Sequence, residues 1–318
     1  MLHLPASSGR PRRIQRLSLR AAAKVNLSLE VLGKREDGYH ELITVLQAVD
    51  LSDRLTLEVA TTIELRMIEE LRMTDERLPA DQDNSVWQAA HLLRDAAGVA
   101  GGARITLDKR IPVAAGLGGG SSDAAAALWG LNHLWGLRWS TERLGELAVR
   151  LGMDTPFFLL GGRALATGRG ELLESLPSAR GFALVLANPQ VLLSTREVYA
   201  RVPPTLRGDG SRTRALITAL ATGNSSRLAG SLYNNLEPVA EPLCPAVRSI
   251  KRALLDAGAL GAVMSGSGPT VFGLARSYDH ARQIRNRVSR GSWSCWAVRT
   301  LSGPAIRIIP EASGRRQW

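Results

Sequence analysis

Residues 112–126 read PVAAGLGGGSSDAAA, and this glycine-rich turn is the stretch from which the fold can be predicted. Gly116 and the glycine run 118–120 lead directly into an alanine-rich helical segment. Glycine adopts backbone conformations closed to other residues and lets a ligand approach the chain closely. Because the amides at a helix N-terminus are unpaired and the helix dipole is positive there, a phosphate group is the expected occupant. A tight strand-to-helix turn without a ligand is the alternative.

The spacing of these glycines excludes the common phosphate-binding loops. The chain has no G-x-x-x-x-G-K-[ST] motif, and Ser121 stands where a G-x-G-x-x-G fingerprint requires its third glycine. The turn also lacks the G-x-S-x-G pattern of a nucleophile elbow. It therefore indicates phosphate binding of a kind other than a P-loop or a dinucleotide fold.

A second glycine cluster, MSGSGPTVFG at 264–273, lies between two predicted strands. The backbone amides of Gly266, Ser267 and Gly268 are candidates for another anion pocket. A tight β-hairpin explains the same residues equally well, so the sequence leaves both interpretations open.

Two polar groups interrupt otherwise apolar stretches. Lys24 and Asn26 are two apart on a predicted strand, so their side chains lie on the same face. Asp154 stands between apolar neighbours in LGMDTPFFL. An Asp before Thr-Pro is typical of a helix cap. The functional alternative is that Asp154 and Lys24 meet in a site for phosphoryl transfer.

The order of predicted elements favours an α+β fold over a doubly wound parallel sheet. Antiparallel strands joined by an Asp37-Gly38 turn come first, and the second half mixes pairs of helices with strands. The predicted strands cover residues 17–33, 41–49, 54–59, 103–109, 163–168, 182–187, 261–264, 270–275 and 294–299. The predicted helices cover 84–98, 140–152, 195–202, 211–222, 239–257 and 279–289.

Composition narrows the classes of protein and partner. The 318-residue chain is 45% hydrophobic, so it can bury a core, and its two cysteines, Cys244 and Cys295, exclude a disulfide scaffold. They favour a reducing compartment, and we expect a cytoplasmic protein. Aromatic residues make up 5% and offer few platforms for stacking bases. No apolar run is long enough to span a membrane. Because aromatic residues are few and no such run exists, we expect neither nucleic acid nor a membrane as partner.

The net charge is +11, and the first twenty residues contribute five positive charges and no negative ones. The first acidic residue is Glu30, and it follows a cluster of arginines at positions 10, 12, 13, 16 and 20. We interpret residues 1–16 as a solvated basic leader, and an organelle-targeting segment is the alternative. In the rest of the chain, a net positive charge is compatible with binding either a phosphorylated substrate or a nucleic acid.

Four segments together resemble one family. The turn at 112–126 resembles the signature P-x-x-x-G-L-G-x-x-S-S of the GHMP kinases, which include galactokinase and the homoserine, mevalonate and phosphomevalonate kinases. K-x-N-L-x-L from Lys24, DGYH at 37–40 and G-x-D-x-P-F-F around Asp154 are similar to the branch that acts on a cytidine diphosphate ester. MSGSGPTVFGL resembles the carboxy-terminal glycine motif of that branch.

The resemblance implies a two-domain α+β fold with the active site in the interdomain cleft. Its domains would be a leader at 1–16, an ATP-binding domain at 17–175, a C-terminal domain at 176–305 and a tail at 306–318. It implies a phosphotransferase that uses ATP with Mg²⁺ to phosphorylate a hydroxyl of 4-diphosphocytidyl-2-C-methyl-D-erythritol. That reaction belongs to the non-mevalonate route to isoprenoid precursors. The metal ligands stay unassigned.

The resemblance also implies roles for individual residues. Asp154 and Lys24 match the catalytic pair, and Tyr39 and His40 match residues that hold the cytidine, where a tyrosine ring can stack on a base. The ATP site would comprise Pro112, Val113, Ala114, Ala115, Gly116, Leu117, Gly118, Gly119, Gly120, Ser121, Ser122, Asn84, Ser85 and Lys109. The substrate site would comprise Asn26, Tyr39, His40, Thr195, Gly266, Ser267 and Gly268.

Two alternative functions stay open. One is another small-molecule kinase of the same superfamily, of homoserine or mevalonate type, and DGYH argues against it because it supplies an aromatic ring and an imidazole suited to a pyrimidine. The other is a non-catalytic protein of this fold that binds phosphate or RNA. The basic charge favours that interpretation slightly, whereas Lys24, Asp154 and an intact glycine turn together argue against it.

Overall fold

The computed structural model describes residues 14–69, 79–177, 181–289 and 293–310. Its strands are Arg16–Lys34 (β1), His40–Ala60 (β2), Ile63–Glu69 (β3), Gly102–Lys109 (β4), Arg163–Gly168 (β5), Leu172–Ser175 (β6), Ala183–Asn188 (β7), Tyr233–Asn234 (β8), Gly261–Met264 (β9), Val271–Ala275 (β10), Ser294–Arg299 (β11) and Ile306–Ile308 (β12). Its helices are Ser85–Ala97 (α1), Gly119–Leu134 (α2), Thr141–Leu151 (α3), Thr155–Leu160 (α4), Thr195–Ala200 (α5), Ser211–Thr222 (α6), Ser225–Ser231 (α7), Glu237–Leu243 (α8), Ala246–Asp256 (α9) and Tyr278–Val288 (α10).

Two sheets organise these elements, and the α+β prediction is confirmed. In the first sheet the strand order is β12-β1-β2-β4-β3, with β5 and then β6 continuing from β2 and β8 lying parallel to β1. In the second sheet the order is β11-β7-β10-β9, and all its pairs are antiparallel. Since β8 and β12 come from the second half of the chain, that half completes the first sheet as well as forming the second.

Local signals account for several helix boundaries. α1 begins where the Asn84 side chain accepts a hydrogen bond from the amide of Val86, and it ends at Gly98 in the left-handed conformation. α3 begins where Ser140 accepts from the amide of Arg143. α2 follows the glycine-rich turn, and the alanines at 124–127 are fully buried in the largest apolar cluster. Their small side chains let the helix that begins at the turn pack closely against the elements around it.

Two predictions about elements need correction, and several further elements were not predicted. The strands predicted at 41–49 and 54–59 are one continuous strand, β2, whose pairing with β1 shifts register between Ala22 and Ala23. The helix predicted at 239–257 is two helices, because Pro245 lies between them and cannot donate a backbone hydrogen bond. The strands β3, β6, β8 and β12 and the helix α7 were not predicted from the sequence.

The ends of the chain are described only in part. Residues 1–13 of the predicted leader and residues 311–318 of the predicted tail lie outside the described ranges. Arg16 begins β1, and the first residues assigned to the tail form β12. The division at residue 175 stays a prediction. Within the described ranges, none of the helices has the length and apolarity needed to cross a membrane.

Candidate active site

A cavity of about 1120 Å³ is lined by the first sheet, the glycine-rich turn and the second half of the chain. Most of the predicted site residues face it. They are Lys24, Asn26, Tyr39, His40, Asn84, Ser85, Lys109, Pro112, Val113, Ala114, Ala115, Gly116, Gly118, Gly119, Gly120, Ser121, Asp154, Thr195, Gly266 and Ser267. The structure thus gathers residues that are up to 243 positions apart in the sequence, from Lys24 to Ser267, into one cavity.

Three of the predicted residues are not among those lining this cavity. Leu117 is fully buried in an apolar cluster. Ser122 is also fully buried, and its hydroxyl donates to the carbonyl of Ala22 at 2.7 Å, so it fastens α2 to β1. Gly268 lies beside the cavity in the tight turn between β9 and β10, where its amide donates to the carbonyl of Ser265. Their sequence neighbours line the cavity, and these three support its wall.

Lys24 and Asp154 form a pair of opposite charges in the cavity. The ammonium nitrogen of Lys24 lies 3.2 Å from Asp154 Oδ2. The lysine side chain is 5% exposed, whereas the aspartate side chain is 35% exposed. The pair therefore sets a buried positive charge against a carboxylate that a substrate hydroxyl can reach.

The Asp154 carboxylate does not cap the helix that follows it. Asp154 occupies the N-cap position of α4, yet its backbone is helical rather than extended and its side chain makes no capping hydrogen bond. α4 is held by Phe157 and Phe158, which are both buried in the core. Core packing thus fixes the start of α4 and leaves the carboxylate to pair with Lys24.

The glycine-rich turn presents backbone amides to the cavity. The first intrahelical hydrogen bond of α2 runs from the amide of Ser122 to the carbonyl of Gly118 at 2.9 Å. The amides of Gly119, Gly120 and Ser121 precede that bond and have no intrahelical acceptor. Gly118 has a φ of +69°, and a Cβ there would lie 3.1 Å from Cγ of Lys24. The turn therefore packs directly on the stem of the lysine that faces Asp154.

The second glycine cluster is a hairpin turn that braces the first. β9 and β10 pair with Met264 opposite Val271, as the hairpin interpretation requires. The Ser265 hydroxyl donates to the carbonyl of Gly116 at 2.8 Å and accepts from the amide of Asn26 at 3.3 Å. Gly266 and Ser267 nevertheless line the cavity. The hairpin and the cavity wall are thus the same segment, and it connects the turn to the strand that carries Lys24.

Aromatic side chains form another part of the wall. Tyr39 is 52% exposed, and its ring centroid lies 5.1 Å from the guanidinium of Arg169. The ring of His40 lies 5.4 Å from that of Tyr199, with 38° between their planes. Burial, and then the charges of Lys34 and Arg207, lower the pKa of His40 below its usual 6.5. His40 is therefore neutral at pH 7, with one ring nitrogen as a donor and the other as an acceptor.

Comparison with known proteins agrees with this geometry. Residues 84–162 match the model of the GHMP kinase N-terminal domain, and residues 216–293 match that of the GHMP kinase C-terminal domain. The chain is 47% identical to a 4-diphosphocytidyl-2-C-methyl-D-erythritol kinase of Pelotomaculum thermopropionicum over 89% of its own length and 97% of the relative. It is 42% identical to the kinase of that name from Alkaliphilus metalliredigens, over 87% of this chain and 94% of the relative.

A solved structure points to the same family. The crystal structure of a 4-(cytidine 5'-diphospho)-2C-methyl-D-erythritol kinase superposes with a TM-score of 0.77 at 39% identity, and the match covers 90% of this chain and 100% of that one. The chain belongs to the 4-diphosphocytidyl-2-C-methyl-D-erythritol kinase family of GHMP kinases. The family predicted from the sequence motifs is thus confirmed.

Lys109 of this GHMP kinase lines the cavity but is held by two carboxylates. Its ammonium group bonds to Asp53 and lies 2.7 Å from Asp123 Oδ2. Burial lowers the pKa of Lys109, but the charges of Asp123 and Asp53 outweigh it and raise the pKa above its usual 10.5. Asp53 also accepts the amide of Ile111 at 2.8 Å. The cluster therefore fixes the point where β4 passes into the glycine-rich turn.

Tyr199 is a cavity residue of this kinase that the sequence analysis missed. It lies on α5, four positions after Thr195, whose hydroxyl is 2.7 Å from that of Ser267. Residues four apart on a helix share a face. The predicted role of Thr195 therefore already indicated that Tyr199 would face the same cavity. Burial, and then the charge of Asp154, raise the pKa of Tyr199, which keeps its hydroxyl protonated.

The cavity of this kinase offers few ligands to a metal ion. Among the described residues, no three His, Cys, Asp or Glu side chains come together to hold one. Asp123 is paired with Lys109 and Asp154 with Lys24. In nucleotide sites Mg²⁺ is typically held by one or two carboxylates together with phosphate oxygens and water. The donor set fits a Mg²⁺ that arrives on ATP, and the Ser121 hydroxyl is one protein oxygen in the cavity that could hold it.

Proposed function

We propose that the chain transfers the γ-phosphate of ATP to a hydroxyl of 4-diphosphocytidyl-2-C-methyl-D-erythritol. The observation that carries the proposal is that one cavity combines the glycine-rich turn, the Lys24–Asp154 pair and a wall of aromatic side chains. Relatives that bear the name of this kinase match the chain over almost their whole length, which supports the choice of acceptor.

The turn binds the triphosphate in this proposal. Phosphoryl transfer requires alignment and neutralisation of charge more than covalent chemistry from the protein. The amides of Gly119, Gly120 and Ser121 donate to phosphate oxygens, and the positive end of the α2 dipole adds to the attraction. Mg²⁺ bound to ATP would supply further positive charge to the phosphates, and the Ser121 hydroxyl would hold it.

The Lys24–Asp154 pair acts on the acceptor hydroxyl. Asp154 orients the hydroxyl and takes its proton as the oxygen attacks the γ-phosphorus. The new O–P bond forms while the bond from phosphorus to the β,γ-bridging oxygen breaks, and ADP leaves with the electron pair. Lys24 lies within an ion-pair distance of the carboxylate, so its charge also stabilises the negative charge on the transferred group.

The aromatic wall selects the acceptor. Tyr39 follows a turn that is fixed before any ligand binds, because Arg35 pairs with both Asp37 and Glu41 and the amide of Tyr39 donates to Asp37. The guanidinium of Arg169 lies over one face of the exposed Tyr39 ring. The other face of that ring is available to stack on a pyrimidine. Neutral His40 supplies a donor or acceptor to the edge of the base. A homoserine or mevalonate acceptor has no base for these groups to hold.

The location of the protein and its partners are further parts of the proposal. A cytoplasmic location, and the absence of nucleic acid and membrane partners, stay predictions. The small molecules ATP and the cytidine diphosphate ester account for the chemistry of the cavity, and the non-catalytic RNA-binding alternative gives Lys24 and Asp154 no role.

An acceptor panel tests the proposal directly. ADP formation is measured in a coupled assay with the cytidine diphosphate ester, homoserine, mevalonate or no acceptor. We expect ADP to form at an appreciable rate with the cytidine ester alone, and chelation of Mg²⁺ to abolish it. Faster turnover of homoserine or mevalonate, or equal rates with and without an acceptor, would contradict the proposal.

Replacing both Tyr39 and His40 with alanine tests the role of the aromatic wall. Stacking on a base contributes about 1–3 kcal/mol, so we expect the KM for the cytidine ester to rise by roughly 5- to 150-fold while the KM for ATP stays within about twofold. Because energy from binding the base also helps to align the acceptor hydroxyl, kcat falls too. Steady-state kinetics with each substrate varied in turn measures all three quantities.

The matched control is the double alanine variant of Trp129 and His133. These two rings also contact each other, with centroids 3.9 Å apart, but they are not among the residues that line the cavity. The control is expected to keep both KM values. An unchanged KM for the cytidine ester in the Tyr39/His40 variant would show that these residues do not bind the base.

A further inference from the structure

We infer that Thr44 is a positioning residue for Lys24, and that it acts through the side-chain amide of Asn26. Neither the sequence motifs nor the family resemblance singles out this threonine. The inference rests on the proposed function only in its kinetic part, since the underlying geometry exists in the protein without ligands.

A continuous chain of hydrogen bonds runs from the strand backbone to the catalytic pair. The Thr44 hydroxyl donates to the carbonyl of Ser28 at 2.5 Å, and the Asn26 amide nitrogen donates to Thr44 Oγ1 at 2.8 Å. The Lys24 ammonium then donates to Asn26 Oδ1 at 2.7 Å and faces Asp154 at 3.2 Å. Lys24, Asn26, Ser28 and Thr44 are all at most 4% exposed.

The chemistry of these groups allows one direction for the chain. An ammonium group can only donate, so the Asn26 atom that faces Lys24 is the amide oxygen. The amide nitrogen then needs an acceptor elsewhere. The single proton of the Thr44 hydroxyl is used on the carbonyl of Ser28, so a lone pair of that oxygen is left for the amide. Thr44 thereby determines which end of Asn26 is turned towards Lys24.

An irregularity in the strand pairing brings the two side chains together. Asn26 is paired with Leu46, but Ser28 is paired with Val45, so β1 contains one residue more than β2 at this point. Such a β-bulge re-aims the side chains beside it and is common near active sites. Here it places Thr44 within reach of both the Ser28 carbonyl and the Asn26 amide.

Burying the hydroxyl of Thr44 costs desolvation free energy, which an apolar side chain would not cost. Valine has the shape of threonine and would fill the same volume. Without the hydroxyl, however, the Asn26 amide would be buried without an acceptor, and an unpaired buried donor is unfavourable. The amide would then rotate or draw in water, and Lys24 would lose the fixed acceptor that Asn26 Oδ1 provides.

The kinetic test compares three variants. Thr44→Val keeps shape and removes the hydroxyl, Thr44→Ser keeps the hydroxyl, and Thr56→Val makes the same change on β2 at a threonine that does not line the cavity. Loss of a residue that orients a metal ligand typically costs 10- to 100-fold in activity, and by analogy we expect kcat of Thr44→Val to fall by roughly that factor. Both KM values should stay within about twofold, because the ammonium acts mainly in the transition state.

Rescue distinguishes positioning from packing. Thr44→Ser should keep kcat within about threefold of wild type, and Thr56→Val should be kinetically normal. A normal kcat in Thr44→Val, or a serine variant as slow as the valine variant, would overturn the inference. If Thr44→Val does not fold, Thr44→Cys takes its place, since a thiol has similar size and only weak hydrogen-bonding capacity.

A spectroscopic measurement needs no substrate. The chain has only four lysines, Lys24, Lys34, Lys109 and Lys251, so protein labelled with ¹⁵N and ¹³C at lysine gives a simple spectrum of the ammonium groups. The Lys24 signal is the one that disappears in Lys24→Arg. We expect Thr44→Val to move or broaden that signal alone, and Thr56→Val to leave all four unchanged.

The two measurements separate failure of this inference from failure of the proposed function. If wild-type protein does not phosphorylate the cytidine ester but Thr44→Val still moves the Lys24 signal, the substrate assignment fails and the positioning role holds. If wild-type protein is active and the Lys24 signal is unmoved in Thr44→Val, the positioning role is wrong.

Discussion

Replacing Asp154 with asparagine is expected to lower kcat by roughly 10²- to 10⁴-fold, which is the usual contribution of a positioned general base. Asparagine has the size of aspartate but can neither take a proton nor pair with the ammonium of Lys24, 3.2 Å away. The factor corresponds to about 2.7–5.5 kcal/mol of lost transition-state stabilisation. Because the phosphates are bound by the glycine-rich turn, the affinity for ATP should be largely kept.

The measurement is single-turnover phosphorylation of the cytidine ester, together with calorimetric binding of a non-hydrolysable ATP analogue. Asp95→Asn is the matched control, since its side chain is 69% exposed on α1 and does not line the cavity. Turnover by Asp154→Asn at the wild-type rate would show that the carboxylate takes no part in the chemistry.

Replacing Gly116 with alanine is expected to weaken ATP binding by at least about 100-fold, the equivalent of about 2.7 kcal/mol. Gly116 has a φ of +73°, where a side chain costs about 1–2 kcal/mol. A Cβ would also overlap the backbone carbonyl of Ser265 and lie 3.1 Å from the amide nitrogen of Gly268. The turn must therefore move away from the β9–β10 hairpin, and the amides that face the phosphates move with it.

Gly136→Ala is the control for the conformational part of that effect. Gly136 has a φ of +67°, almost that of Gly116, yet a Cβ there would meet nothing within 4 Å. The control should lose stability without losing affinity for the ATP analogue. Calorimetric binding and thermal unfolding of both variants make the comparison, and equal ATP affinities would remove the turn from the nucleotide site.

The features that were predicted well from the sequence depend on residues that are close together along the chain. The helix from Asn84 to Gly98 was predicted closely because its cap and its terminating glycine are adjacent to it in sequence. The glycine-rich turn was predicted as a helix N-terminus for the same reason. The alternation of Lys24 and Asn26 on a strand correctly placed both on one face, and both line the cavity.

What the sequence missed depends on contacts between distant segments. Lys109 meets Asp53 across 56 positions, and no local pattern indicates that the two are partners. Thr44 reaches Asn26 only because of a bulge whose position is set by strand pairing. For Asp154, the local pattern supported a cap and a catalytic group alike, and the tertiary contact with Lys24 separates them. The residue patterns offered this pairing as one of two alternatives, and the family resemblance favoured it.

The return of the chain to its first sheet has a consequence for synthesis on the ribosome. Along β1, residues 19–21 pair with β12 and residues 28–29 with β8, so both partners are made long after the strand itself. At roughly 5–20 residues per second, the interval between residue 175 and residue 308 lasts about 7–27 s. Throughout it, the part of the first sheet that has already been made, up to the end of β6, exposes an open edge of β1, which is a template for pairing with other chains. Chaperone dependence of the newly made protein should therefore be greatest before residue 306 emerges.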